Sequence, residues 1–326
     1  MFLWGFGKKG IIKIEEKSLK VLGAGLLLAV SLVFTPSVKA EAADMVQTNL
    51  AENSITLHWT AEPDAMKYNV YVSTNYSDSV LYASVPASQT YVTISNLPAG
   101  AERSVTVKYE YLGYDNQVDE GWVDSGEYKT LPGKVTNVKQ ERWYYFNKCF
   151  YAEWDKMECA DGYECVIKTT KGKTVKQEST YGESIRCSNV SNQKIYTVQV
   201  RAYTTINGQK YYGAWSDKAY CFTQPRIKSI YKTGKKITVK WAKVEGAAAY
   251  DIYVSTKPKT GYKKVKTVKK NTTSCTIKKI GKKKISAKKK YYVYIATVKK
   301  VGSRRYDSGR LYFWNTKSGA NYFDYF

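Results

Sequence analysis

Three stretches of the chain share one pattern of apolar and polar positions. Apolar residues alternate up to a tryptophan in Ile55-x-Leu57-x-Trp59, Phe150-x-Ala152-x-Trp154 and Ile237-x-Val239-x-Trp241. Nine residues after each tryptophan comes a tyrosine, and the alternation resumes as Tyr68-x-Val70, Tyr163-x-Cys165 and Tyr250-x-Ile252. A period of two belongs to strands with one buried face. The first and third copies are nearly identical here, YNVYVST against YDIYVST. Each copy then carries a second set of strands. Val92-x-Ile94 is followed by Leu97 and Arg103-x-Val105-x-Val107, and Ile185-x-Cys187 by Val190 and Tyr196-x-Val198-x-Val200. The third copy has Cys275-x-Ile277, Ile280 and Tyr291-x-Val293-x-Ile295. Asn207-Gly208 marks a hairpin turn, and Asp124-Ser125, Trp215-Ser216 and Asp307-Ser308 open the closing strand of each copy.

A repeat at this period predicts a tandem array. Prolines set its boundaries, because Leu131-Pro132-Gly133 and Gln224-Pro225 each precede a new alternating run. The expected domains are 41–131, 132–224 and 225–317, with a tail at 318–326. The first 40 residues differ. Five lysines between Lys8 and Lys20 precede an uncharged apolar run, Val21 to Phe34, and then Val38-Lys39-Ala40. That is the layout of a signal peptide cut after Ala40, with Ala42 as a second site. A retained anchor is the alternative, but fourteen apolar residues fall short of the about 20 that span a bilayer. The mature protein is therefore expected outside the cytoplasmic membrane, without stable membrane insertion after cleavage.

The repeated elements resemble the fibronectin type III family. The likeness rests on the tryptophan of the second strand, the Tyr-x-Val of the third, and Leu-x-x-x-x-x-Tyr-x-Val-x-Val at the corner leading into the sixth. It covers nearly the whole mature chain and implies an all-β protein of three immunoglobulin-like antiparallel sandwiches, each of seven strands. Many such domains in secreted Gram-positive proteins are spacers or accessory modules, although the fold itself assigns no function. Two departures stand out. Arg103 replaces the corner tyrosine of the first copy. In the third, eleven residues separate Ile280 from Tyr291 where the other copies have six.

Catalysis needs converging polar groups of matched acidity, and no such set is visible. His58 is the only histidine and falls on the outer face of its strand. No pair of cysteines has C-x-x-C spacing, so neither a metal site nor a cofactor is expected. The carboxylates Asp115, Asp119, Glu120, Asp124 and Glu127 read as a solvated acidic loop. Cys165 and Cys187 take inward positions that are aliphatic in the other copies. Two readings stay open for them, buried free thiols or a disulfide between sheets. The run Trp143, Tyr144 and Tyr145 either stacks on sugar rings or buries at a domain junction. Arg305-Tyr306-Asp307 is read as the start of a strand, not as an adhesion motif.

Charge separates the copies more sharply than any motif. Residues 41–131 carry 4 basic and 13 acidic side chains, 132–224 carry 14 and 9, and 225–326 carry 28 and 4. Of the last 28, 24 are lysines, hydrated point charges suited to diffuse attraction and not to the bidentate forks that arginine makes. Eight of them, Lys278, Lys279, Lys282, Lys283, Lys284, Lys288, Lys289 and Lys290, fall in the lengthened connection of the third copy. Ile277, Ile280 and Tyr291 are expected to anchor it. In the family's topology this connection lies at the pole where the chain leaves a domain, and no later copy follows to cover it. The expected function is a secreted or surface-associated, non-enzymatic structural and adhesion module. Its third domain would bind an anionic wall or extracellular polymer such as teichoic acid. The alternative is a carbohydrate-binding accessory protein that uses the aromatic run, and protein partners remain open. Export makes genomic nucleic acid an unsuitable target.

Overall fold

In the computed structural model the described residues are 45–74, 77–141, 148–223 and 225–310. All lie within one compact unit, Ala43–Phe326. They contain strands and no helix. The leader and the tail lie outside them, as do Trp143, Tyr144 and Tyr145.

The first segment holds β1 (Met45–Thr48), β2 (Ile55–Trp59), β3 (Lys67–Ser73), β4 (Val80–Pro86), β5 (Tyr91–Ile94), β6 (Glu102–Leu112) and β7 (Val118–Lys129). They form two antiparallel sheets, β1-β2-β5 and β4-β3-β6-β7. The second segment holds β8 (Lys139–Glu141), β9 (Cys149–Glu153), β10 (Gly162–Thr169), β11 (Thr174–Thr180), β12 (Ser184–Ser188) and β13 (Ile195–Ile206). Its last strand is broken into β14 (Gln209–Tyr212) and β15 (Ala219–Phe222), both paired with β13. The third segment holds β16 (Ile227–Thr233), β17 (Lys236–Trp241), β18 (Ala249–Ser255), β19 (Lys263–Lys269) and β20 (Ser274–Ile277). A small hairpin of β21 (Lys279–Ile280) and β22 (Lys283–Lys284) precedes β23 (Tyr292–Val301) and β24 (Arg304–Asp307). Its sheets are β16-β17-β20 and β19-β18-β23-β24. A three-stranded sheet against a larger one, in this order, is the arrangement that the family resemblance implies.

Each sheet pair encloses its own apolar cluster. The alternation explains which side chains enter it. Ile55, Leu57 and Trp59 of β2 are buried while His58 faces out and stacks on Tyr91, ring centroids 5.4 Å apart. The Trp-to-Tyr spacing has a physical basis that recurs three times. Trp59–Tyr68, Trp154–Tyr163 and Trp241–Tyr250 all meet edge to face, at 5.3, 5.4 and 5.5 Å. This is a favoured geometry for aromatic quadrupoles. Each tyrosine hydroxyl then accepts a hydrogen bond from the backbone N–H six residues before it: Glu62 at 2.8 Å, Met157 at 2.9 Å and Val244 at 2.7 Å. The spacing thus fixes the crossing between sheets and closes the loop that makes it.

The corner tyrosine follows the same logic. Tyr196 Oη accepts from the Ser191 N–H at 2.9 Å and donates to its carbonyl at 3.1 Å, and Tyr291 Oη accepts from Ser286 N–H at 2.8 Å. Arg103 has no such role. Its guanidinium reaches Glu158 of the second segment at 3.5 Å.

The joints reuse one pole. In the first segment the connection from β5 to β6 accepts the second segment's β9–β10 loop, through Cys159 N–H to the Gly100 carbonyl at 2.8 Å. Lys129 adds an ion pair with Asp161 at 2.9 Å. In the second segment the equivalent connection, β12 to β13, accepts the third segment's β17–β18 loop. Glu245 N–H donates to the Gln193 carbonyl at 2.7 Å, and Ile195 N–H donates to the Glu245 carbonyl at 3.2 Å. Gly246, at φ 83°, is needed there, since a Cβ would lie 2.9 Å from the Thr170 hydroxyl. This second joint is more apolar. Ile195 and Phe222 belong to the third segment's cluster, and the Tyr220 and Tyr306 rings meet at a tilt, centroids 4.7 Å apart.

Candidate functional site

The corresponding pole of the third segment carries the lysine-rich connection, and its local fold is set by a few apolar residues. Ile277 is buried, and Ile280 and Tyr291 pack half-buried on the core. Ile285, which the expected anchors omit, is 1 % exposed and is the deepest of the insertion's side chains. Between these anchors β21 and β22 pair Lys279 with Lys284 and Ile280 with Lys283. Gly281 makes the turn at φ 58°, a left-handed conformation that glycine enters without Cβ strain. The rest of the connection is held from β16. Lys232 Nζ donates to the carbonyls of Ala287 and Lys289, at 2.6 and 2.7 Å. One ammonium therefore orders the backbone that displays the others.

Pairing across the hairpin sorts the lysines onto two faces. On one face Lys278, Lys279 and Lys284 meet Lys235 and Lys236 of the β16–β17 turn, around a cleft of about 430 Å³. On the other, Lys282, Lys283, Lys284 and Lys289 meet Lys263 at the start of β19, around a cleft of about 500 Å³. Ser255, Thr256, Ser286 and Tyr291 add hydroxyls to this second cleft. Lys288 and Lys290 line neither cleft. Lys290 sits over the Tyr292 ring at 5.4 Å. All eight lysines of the connection are exposed, as are Lys235, Lys236 and Lys263. The last three are missing from the expected site. Their signals are two turns, Thr233-Gly234-Lys235-Lys236 and Gly261-Tyr262-Lys263, that the topology brings to this pole.

No carboxylate among the described residues opposes this charge. Asp251, 1 % exposed, is taken by Arg305, by Lys264 at 3.6 Å and by the Thr267 hydroxyl at 2.6 Å. Glu245 faces the second segment, where Lys171 and Lys194 lie at 3.0 and 3.5 Å. Asp307 accepts the Gly309 N–H at 2.9 Å. Like charges gathered in one place raise a positive potential that attracts mobile anions.

Other candidate positions fare differently. Cys165 and Cys187 reach the same core from opposite sheets and are thiols in this structure, both buried. Burial pushes both up to about 12, which keeps them protonated and inert at neutral pH. Trp143, Tyr144 and Tyr145 lie outside the described residues. Arg305, Tyr306 and Asp307 are committed to β24 and its contacts. The acidic set is not one loop: Asp115 lies in the β6–β7 turn and accepts the Gln117 N–H at 3.0 Å, whereas Asp119, Glu120, Asp124 and Glu127 lie on β7, where Glu120 pairs with Lys108 at 2.9 Å. Among the described residues no group of three or more His, Cys, Asp or Glu is arranged to hold a metal ion. No helix among them is long and apolar enough to cross a membrane.

No family model matches the chain, and no curated protein matches it. Among solved structures it is similar to the FN1–FN3 domains of chicken CNTN1, at 12% identity over 81% of this chain and 96% of that one, with a TM-score of 0.32. A two-domain fibronectin type III segment of chicken tenascin is similar at 13% identity, over 55% of this chain and 98% of that one, also with a TM-score of 0.32. At such values the strand order and the repeated core contacts define the fold, an all-β series of fibronectin type III-like antiparallel sandwiches.

Proposed function

We propose that this protein is an exported, non-catalytic structural and adhesion module whose third segment holds an anionic polymer of a cell wall or extracellular matrix. The first two segments space that site from the rest of the chain. One observation carries the reading. The pole that forms the joint in the first two segments displays, in the third, a hairpin of exposed lysines with no described carboxylate opposing it. Lysine ammoniums attract any dense polyanion, and their hydration favours loose, exchangeable contact over a single geometry.

The test is retention of the mature full-length protein on immobilised teichoic acid or heparin, compared with a variant carrying Gln at 282–284 and 288–290. Screening shortens from about 10 Å at 0.1 M salt to about 3 Å at 1 M, so the parent is expected to elute within that range. The variant is expected to elute at clearly lower salt. Elution of both proteins at the same salt would overturn the assignment of this pole.

A further inference from the structure

We infer that the pole is a two-cleft site straddled by one linear polyanion, so that recognition depends on chain length and not on charge alone. The inference rests on the polyanion reading and adds the kind of polymer: a flexible chain with anionic groups on successive units, such as a polyphosphate or a polymer of phosphodiesters.

The hairpin β21–β22 is the divider. Its cross-strand pairs place Lys279 and Lys284 toward the β16–β17 turn, and Ile280 and Lys283 toward the start of β19. The resulting clefts, of about 430 and 500 Å³, each accept a few anionic groups and are too small for a globular partner. Lys284 lines both, so the two clefts adjoin at this residue. A ligand bearing up to three phosphates stays within one cleft. A longer chain enters one cleft, crosses the hairpin and enters the other, and its second contact is intramolecular. Linking two weak sites in this way raises overall affinity by roughly 10²–10⁴ without a new type of contact. The scaffold suits such a bridge. Ile285 pins the hairpin to the core, and Lys232 holds the carbonyls of the segment that follows. The two clefts therefore keep a fixed separation.

The experiment titrates the mature full-length protein with tripolyphosphate and with long-chain linear polyphosphate at one ionic strength. It compares the parent with Lys235→Gln/Lys236→Gln and with Lys263→Gln/Lys289→Gln. These side chains are exposed, so both variants are expected to keep the parent's melting temperature. The parent should bind the long chain at least about 10-fold more tightly per chain end than the short one, as bivalency requires. Each double variant should lose most of that gain while changing tripolyphosphate binding no more than about twofold. The inference is overturned if short and long chains bind alike, or if each variant weakens both by the same factor. In either case the polyanion reading survives when Gln at 282–284 and 288–290 still abolishes binding. Failure of the parent to bind either phosphate chain would sink both.

Discussion

Replacing Trp241 with alanine tests the strand register of the third segment most directly. Trp241 is fully buried, touches Tyr250 edge to face at 5.5 Å, and lies at the end of β17 where two sheets close on each other. Deleting such an indole costs about 3–5 kcal/mol from lost burial and the cavity left behind. One contribution runs the other way. The Trp241 Nε1 hydrogen has no acceptor among the described residues, and a buried unpaired donor costs about 1–3 kcal/mol, part of which is recovered when the indole is removed. A net loss of about 2–4 kcal/mol is expected. If the third segment, of about 90 residues, unfolds by itself, that corresponds to a fall in melting temperature on the order of 10–30 °C. Calorimetry of the full chain would resolve the transition. It should broaden toward the second segment, because Ile195 and Phe222 share the affected cluster. Trp241→Phe retains the contact with Tyr250 and removes the orphaned hydrogen, so it should recover at least half of the loss. Trp122→Ala is the control. That side chain is 63% exposed, and its removal should change stability by less than about 0.5 kcal/mol. Equal melting temperatures for Trp241→Ala and the parent would refute the register.

Two further outcomes follow from the hydrogen bonds. Tyr250→Phe strips the buried Val244 N–H of its acceptor and should cost about 1–3 kcal/mol by chemical denaturation, whereas Tyr68→Phe leaves a partly solvated Glu62 N–H and should cost less. A larger loss at Tyr68 would contradict the burial of the Val244 loop. The first joint should weaken in acid. Burial opposes ionisation of Asp161, but hydrogen bonds from Lys129 and Thr205 outweigh it and hold the carboxyl below its usual range. A depressed carboxyl contributes stability that is present above its unfolded pKa and lost as pH falls through the lower folded value. Thermal scans between pH 5 and pH 2 should therefore show a loss that Asp161→Asn lacks. Parallel acid profiles for the two proteins would exclude the ion pair as the cause.

The parts of the fold that are readable in one dimension are those whose cause is local. Alternation around Trp59, Trp154 and Trp241 marks strands because period two is a property of the strand itself. The nine-residue step to each tyrosine is readable because one contact and one loop hydrogen bond recur three times. The hairpin β21–β22 is harder to see. Lysine is depleted in strands, and only Gly281 signals the turn. Ile285, the one large apolar residue between two lysine triplets, is the clue to its anchoring. Convergence of Lys235, Lys236 and Lys263 on that hairpin is set by strand order, which no local pattern carries. The joints are equally hidden, since Glu245 and Gln193 pair through backbone atoms, and the ion pairs of Glu245 with Lys171 and Lys194 form only once the loop has docked. For Cys165 and Cys187 the pattern establishes inward positions and says nothing of bonding.

The three poles differ in a way that ties architecture to binding. At the first, Gly100 and Ala101 present little side chain, so a neighbouring loop approaches the backbone closely enough for Cys159 to donate to Gly100. At the second, Ile195 enters the next segment's core and Lys194 finds Glu245. Both surfaces therefore suit contact with protein. A similar joint at the third pole would strip water from several ammoniums at once, and each unpaired buried charge costs several kcal/mol. The lysines therefore oppose packing of another domain on this hairpin. A polymer of phosphates meets no such penalty. Hydrated lysines displace the cations condensed along the polymer, and the released ions supply a favourable entropy that falls as salt rises. The same family of loops can thus join domains when its residues are small or apolar, and in the proposed function it holds a polyanion when they are lysines.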